Sequence, residues 1–359
     1  MSAGRLEHPD VLVIGGGIIG GSIAWRLAQR GISVTVLEAG RWGGEASWAG
    51  AGMLAPGGEY EEPSLLAEFA LASLKRYPEF VEELAAASGL PIDFQRHGAM
   101  EVAANDGDWQ RLVARAARQR GFGIPSEEVS GEDARALAPA LAGHFHRVMF
   151  YPDDAAVDPR TLMGALRVAF ERAGCRIREQ TRVARVEARP DGVRVSTASG
   201  AMEAGAAVLA AGAWSGTLAS GLPESFPVRG HLAAYRLPAG SLPPIVRQGG
   251  TYLVQREKGK TLSGTSMEYV GFDRTLDRGT LDDIRRRASH LVPMVAEAEC
   301  VEEWIGFRPG ARELQVRQHE DTRLWLAYGH LRNGILLAPE TAHRISTAME
   351  ATESELLAH

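Results

Sequence analysis

The chain is poor in cysteine: among 359 residues only Cys175 and Cys300 are cysteines, and neither lies in a Cys-X-X-Cys or Cys/His cluster. That excludes a disulfide framework and a thiolate metal site, and it suits a reducing cytoplasm in which isolated thiols are ordinary core residues. Positive charge is also in short supply. Lys and Arg number 39 against 45 Asp and Glu, a net charge of -6 that leaves no electrostatic footprint for nucleic acid. Long apolar runs are missing: the uncharged stretch 11–25 is glycine-rich and too short to span a bilayer, and 204–215 is shorter still. Residues 1–10 carry Arg5, Glu7 and Asp10 where a signal peptide would have its apolar core. No internal repeat, low-complexity tract or metal-ligating cluster is visible. The expectation is a cytoplasmic protein without membrane, nucleic-acid or metal partners, and a homo-oligomer is left open.

What is present is enough to build a large core. Hydrophobic residues make up 45% and charged residues 23%, and the length favours two domains or one elaborated domain. In residues 10–14 Asp10 is followed by a continuous apolar run, as expected for a central parallel strand buried on both faces. Residues 18–30 carry Ile19, Ile23 and Leu27 at helical spacing, Gly31 ends that helix, and 32–37 reads as a second strand ending at Glu38. Between the first strand and the helix, Gly15-Gly16-Gly17-Ile18-Ile19-Gly20 fits Gly-X-Gly-X-X-Gly. Gly15 permits the tight turn, Gly17 lets a pyrophosphate approach the backbone at the helix start, and Gly20 allows close helix–strand packing. Glu38 stands where an acid accepts hydrogen bonds from a ribose, which argues against a 2′-phosphate and so against NADP. The choice between NAD and FAD stays open on these residues alone.

Farther along, a helical stretch follows Pro63, with Pro78 expected to break or kink it. Shorter helices are read over 108–120, 131–141 and, opened by Asp158-Pro159, 160–173. Alternating strands around Val183, Val186, Val193 and Val195 are separated by the turn Pro190-Asp191-Gly192 and lead into a buried strand at 206–211. Residues 226–307 read as strands and turns, 324–328 as a last strand, and 335–357 as a loop followed by the C-terminal helix. Nucleotide-binding signals at both ends and in the middle of the chain imply an α/β fold: a discontinuous Rossmann-like cofactor domain (1–85, 145–225 and 308–359) with an inserted antiparallel-sheet substrate domain (86–144 and 226–307).

Four stretches carry a family resemblance: 43–56 (Gly-Gly-Glu-Ala-Ser-Trp-Ala-Gly-Ala-Gly-Met-Leu-Ala-Pro), 152–160, 210–216 (Ala-Ala-Gly-Ala-Trp-Ser-Gly) and 329–339 (Gly-His-Leu-Arg-Asn-Gly-Ile-Leu-Leu-Ala-Pro). In this order, from residue 10 to about 345, the chain resembles the D-amino acid oxidase superfamily, specifically its glycine oxidase branch from thiamine biosynthesis. The resemblance implies FAD as cofactor. It adds Ala39, Ala46, Ser47, Ala51, Gly52 and Met53 to the cofactor contacts, together with Val183 at the adenine and Gly212. It also assigns the turn and helix start formed by His330, Leu331, Arg332, Asn333, Gly334, Ile335 and Leu336 to the flavin pyrimidine edge, where amides and the helix dipole favour negative charge. Relatives that attach flavin covalently use a cysteine soon after an Arg-Pro pair. No cysteine follows Arg308-Pro309 here, so the FAD is expected to be noncovalent.

The same resemblance places three residues in the reaction. Arg308 is the bidentate clamp for the substrate carboxylate, Tyr252 a hydroxyl partner for that carboxylate, and Arg332 a second substrate arginine. Met53 and Met267 line the small apolar end of the pocket. No His or Glu is expected as an obligatory base, and His231 and His330 are read as structural. The implied activity is the FAD-dependent oxidation by oxygen of a small amino acid, glycine first, to glyoxylate, ammonia and hydrogen peroxide, with the imine able to feed thiazole synthesis. A sarcosine or D-amino acid oxidase or dehydrogenase is the alternative within the class, and a non-catalytic flavin-binding subunit the alternative outside it. Residues 310–319 depart from the family pattern, so the loop expected to close on the flavin is altered.

Overall fold

The computed structural model describes residues 9–145 and 147–357. Residues 1–8, read above as lacking a signal peptide, and 358–359, at the end of the expected cofactor domain, lie outside them. A six-stranded sheet holds the nucleotide-binding signals, in the order Gln315–Gln318, Leu324–Tyr328, Ala206–Leu209, Val11–Ile14, Val34–Leu37 and Arg176–Arg178. It is parallel except for the edge strand Gln315–Gln318. Its central strands are apolar throughout because both faces are covered, and alternate side chains go opposite ways. Val11, Val13 and Val36 join the core beneath the helices, whereas Leu12, Ile14 and Leu37 pack with Val183, Val186 and Val195 of a three-stranded meander. The helices Ile18–Gln29, Leu65–Ser88, Pro159–Arg172 and Gly334–Leu357 pack on one another over the first face.

The helix Leu65–Ser88 runs through Pro78 without a break, which removes the first of the two expected outcomes there. Ser64 caps its start, Gly89 in the left-handed region ends it, and buried Tyr77, Phe80, Val81 and Leu84 hold the segment around the proline against its neighbours. The lost amide bond is offset by that packing. The helix Arg278–Leu291, inside the region read as strands and turns, is a second departure.

The remaining large sheet has eight strands: Cys300–Ala311, Ser225–Arg236, Lys260–Gly264, Thr251–Gln255, Ile245–Gln248, Ala99–Val102, Arg147–Tyr151 and Glu127–Ser130. One pair, Ile245–Gln248 with Ala99–Val102, is parallel and the others are antiparallel. The expected boundaries at 145 and 308 cut through this sheet, because Arg147–Tyr151 belongs to it and its edge strand continues to Ala311. A separate small sheet is formed by Met53–Leu54, Ala155–Val157 and Phe94–Gln95. Among the described residues no helix is long and apolar enough to cross a membrane, and no group of three or more His, Cys, Asp or Glu residues could hold a metal.

Candidate active site

One cavity of about 510 Å³ runs from Val183 and Glu38 at one end to Tyr252 and Arg308 at the other. The glycine turn forms its first wall. Gly15 has φ +105°, and a Cβ there would lie 2.4 Å from the Ala210 carbonyl oxygen, so no other residue fits the turn. At Gly20 a Cβ would fall 2.1 Å from the Gly15 oxygen. Gly20 therefore serves helix packing and, unlike Gly15, Gly17, Ile18 and Ile19, does not line the cavity. The first helical amide, Ile18 N, donates to Ser47 Oγ at 2.8 Å, which ties the helix start to the second glycine-rich segment. Glu38 accepts from Gly16 N and Gly40 N, at 2.7 Å each. Each carboxylate oxygen keeps a lone pair for a ribose hydroxyl, and Ala39 lines the wall beside it.

The second wall is residues 46–53, all but Trp48 lining the cavity. Gly52 has φ +71°, and a Cβ would stand 1.9 Å from the Val157 oxygen. Val157 N in turn donates to Gly52 O at 2.9 Å. Two side chains brace this segment from behind. Trp304 Nε1 donates to Ala49 O at 3.0 Å, and the buried Arg256 donates to Ala51 O at 2.7 Å and Val157 O at 3.1 Å. Neither bracing residue was legible in the sequence, because each acts on a backbone far away in the chain.

Opposite lies the turn before the C-terminal helix. Leu331 has φ +46°, and its amide donates to Pro309 O at 2.9 Å. His330, Leu331, Arg332, Asn333, Gly334 and Ile335 all line the cavity, as does Gly212. Leu336 does not; it is buried, its carbonyl accepting from Ser73 Oγ at 2.6 Å. Burial pushes His330 down to about 3, so the ring is neutral and bonds Thr341 Oγ1 at 3.1 Å through Nε2. His231 is also buried, between Glu268 Oε1 at 2.9 Å and Asp277 N at 3.0 Å. Neither histidine is placed as a base for chemistry in the cavity.

At the substrate end, Arg308 is held by its own sheet. Nη2 donates to Thr265 Oγ1 at 2.7 Å and Nη1 to Ser266 O at 3.2 Å. The strand opposite leaves room only because residue 230 is glycine, where a Cβ would lie 2.4 Å from the guanidinium. Among the described residues no carboxylate lies within ion-pair distance of Arg308, and burial pulls its pKa down; it still carries its charge. Tyr252 is buried three strands along the same sheet, its hydroxyl pushed up by burial against the pull of Arg308 and Arg332, so it stays protonated and able to donate. Arg332 reaches the cavity already paired: Nη2 donates to Glu59 Oε1 at 2.9 Å. Met53 lines the cavity, but Met267 does not and is 46% exposed. The reason is the two-residue period of extended chain: Ser266 and Glu268 turn inward to His231, and Met267 between them turns out. Thr265, Ser266 and Glu59 carry no sequence signal of their own. None of residues 310–319 lines the cavity, so the altered stretch lies away from it, forming part of the edge hairpin.

The residues present fit FAD. The glycine positions are those that a Cβ would fill, an acid ends the second strand, and the turn 330–335 lines a cavity whose walls come from both large sheets. Neither cysteine lines that cavity.

Comparison with known proteins points the same way. The DAO family, described as FAD dependent oxidoreductase, matches residues 10–348. The glycine oxidase of Geobacillus kaustophilus is 33% identical over 353 residues, covering 96% of this chain and 94% of that protein. A bifunctional ThiO/ThiG protein of Synechocystis is 35% identical over 347 residues, covering 94% of this chain but 51% of that longer protein. The crystal structure of the Geobacillus kaustophilus glycine oxidase superimposes with a TM-score of 0.90 at 32% identity, over 96% of this chain and 95% of that one.

Proposed function

The chain belongs to the DAO family of FAD-dependent oxidoreductases, and on that premise we propose that it oxidises glycine and other small amino acids to the oxo acid, ammonia and hydrogen peroxide. The observation that carries the reading is Arg308: a guanidinium lining the cavity, fixed by Thr265 and Ser266, with no carboxylate among the described residues within ion-pair distance. A buried, uncompensated cation of planar shape calls for a carboxylate ligand.

When bound, FAD supplies the two-electron oxidation. The chain's residues do the rest by placement. Arg308 grips the substrate carboxylate through its fork, and Tyr252 donates its hydroxyl to the same group. Met53 narrows the space left for a side chain, which favours glycine. In the turn 331–334 the amides of Leu331 and Asn333 are taken by Pro309 O and His330 O; those of Arg332 and Gly334, with the positive end of the C-terminal helix dipole, would favour negative charge on a bound cofactor. The reading needs no obligatory base among the described residues: the substrate amine enters neutral and the contribution of the protein is orientation. The kinship with glycine oxidase and with ThiO/ThiG proteins supports a place for the imine product in the thiazole half of thiamine.

Anaerobic mixing of the FAD-loaded protein with glycine, sarcosine and D-alanine tests this. Loss of the oxidised flavin absorbance with glycine supports the proposal; no bleaching by any of the three refutes it.

A further inference from the structure

We infer that Glu59 sets the charge type of substrate the site accepts, keeping it for amino acids with a single carboxylate; this rests on the amino acid reading above. The polar end of the cavity is lined by Arg308 and Arg332 and, beside Gly58, by Arg247 and Arg115, which are ion-paired to Glu101, Arg247 also to Asp154; among the described residues at this end only Arg308 lacks a carboxylate partner. Glu59, from the loop after the short turn Pro56–Gly58, lines the same cavity and accepts from Arg332 at 2.9 Å. Its side chain is 18% exposed against 42% for Arg332, so the negative member of the pair is the one held on the inside. Its charge is felt by both Tyr252 and Arg308.

One carboxylate on a substrate satisfies Arg308 and Tyr252. A second would meet the Glu59 carboxylate with Arg332 already engaged, leaving an anion unpaired or a protein ion pair broken. Selectivity then comes from a repulsive element as much as from an attractive one. Removing the charge at 59 frees Arg332 to take the second carboxylate. Were the pair only a surface contact that steadies a loop, its loss would change no preference between ligands.

The test uses the FAD-loaded enzyme titrated with glycolate, a monocarboxylate, and malonate, a dicarboxylate, each followed by its perturbation of the flavin visible spectrum. Glu59→Ala is expected to improve malonate relative to glycolate by about tenfold or more, the size of one new charged hydrogen bond. Glu59→Gln, which keeps shape and an acceptor, shifts the ratio the same way by less and covers any loosening of the loop by alanine. The double variant Glu59→Ala/Arg332→Met returns to the wild-type ratio. A ratio unmoved in both single variants, or one still shifted in the double variant, overturns the inference. The kcat/KM values for glycine and iminodiacetate should follow the same order. Failure of glycine to bleach the wild-type flavin would remove the proposed activity, while the titration would still read the selectivity by itself.

Discussion

The guanidinium of Arg308 and the hydroxyl of Thr265 lie 2.7 Å apart, and the same hydroxyl donates to His231 O at 3.1 Å. The arginine is thus aimed by a residue that has no charge of its own, and that residue is fixed by a third strand. Thr265→Val keeps the shape and removes the acceptor. It should raise KM for glycine about tenfold, the worth of one hydrogen bond to a charged group, with a smaller change in kcat. Thr265→Ser should restore KM, and steady-state kinetics on the three proteins checks it.

Gly15→Ala should yield a colourless protein. The new methyl group meets the Ala210 carbonyl at 2.4 Å in a backbone conformation at φ +105°, a strain of about 1–3 kcal/mol before any clash is counted. The ratio of visible to ultraviolet absorbance after purification measures the FAD retained.

Arg256→Met removes the donor that joins Ala51 O to Val157 O. The expected result is about tenfold weaker retention of FAD, again the scale of a charged hydrogen bond, with Arg256→Lys intermediate. Release of FAD on dilution, followed by fluorescence, gives the number.

His330 gives the fold an acid limb. Its folded value, about 3, lies below the ordinary 6.5, so between those values the unfolded chain binds a proton that the folded chain refuses. Stability therefore falls as pH drops from about 6.5 towards 3, at up to about 1.4 kcal/mol per pH unit for this group. His330→Gln should make the loss shallower in that window and leave the region above pH 7 unaffected, as measured by denaturant unfolding across pH.

The nucleotide end of the site is legible in the sequence because its determinants are local. Gly15, Gly17, Ile18 and Glu38 fall within one strand–helix–strand unit, and each needs only its near neighbours to do its work. The substrate end is different. Arg308 could be assigned by resemblance, but the residues that aim and balance it could not, since Thr265 is 43 positions away and Glu59 meets Arg332 across 273. Met267 shows the limit from the other side: a matching position in an extended segment turned outward, because the facing of a strand residue depends on register and not on identity. The helix Arg278–Leu291 was readable in principle. Asp277 caps Thr280, and Leu281, Ile284, Ala288 and Leu291 recur at helical spacing, but the turn-rich flanks masked the period.

The central strand of the cofactor sheet comes from residues 11–14 and its neighbour but one from 324–328, while the turn closing the cavity comes later still. A ribosome making this protein therefore cannot hand over a FAD-competent chain until almost the whole of it has emerged. Until then the early glycine turn has no opposite wall, so cofactor capture is a late step of biosynthesis and is blocked by any premature stop before residue 334.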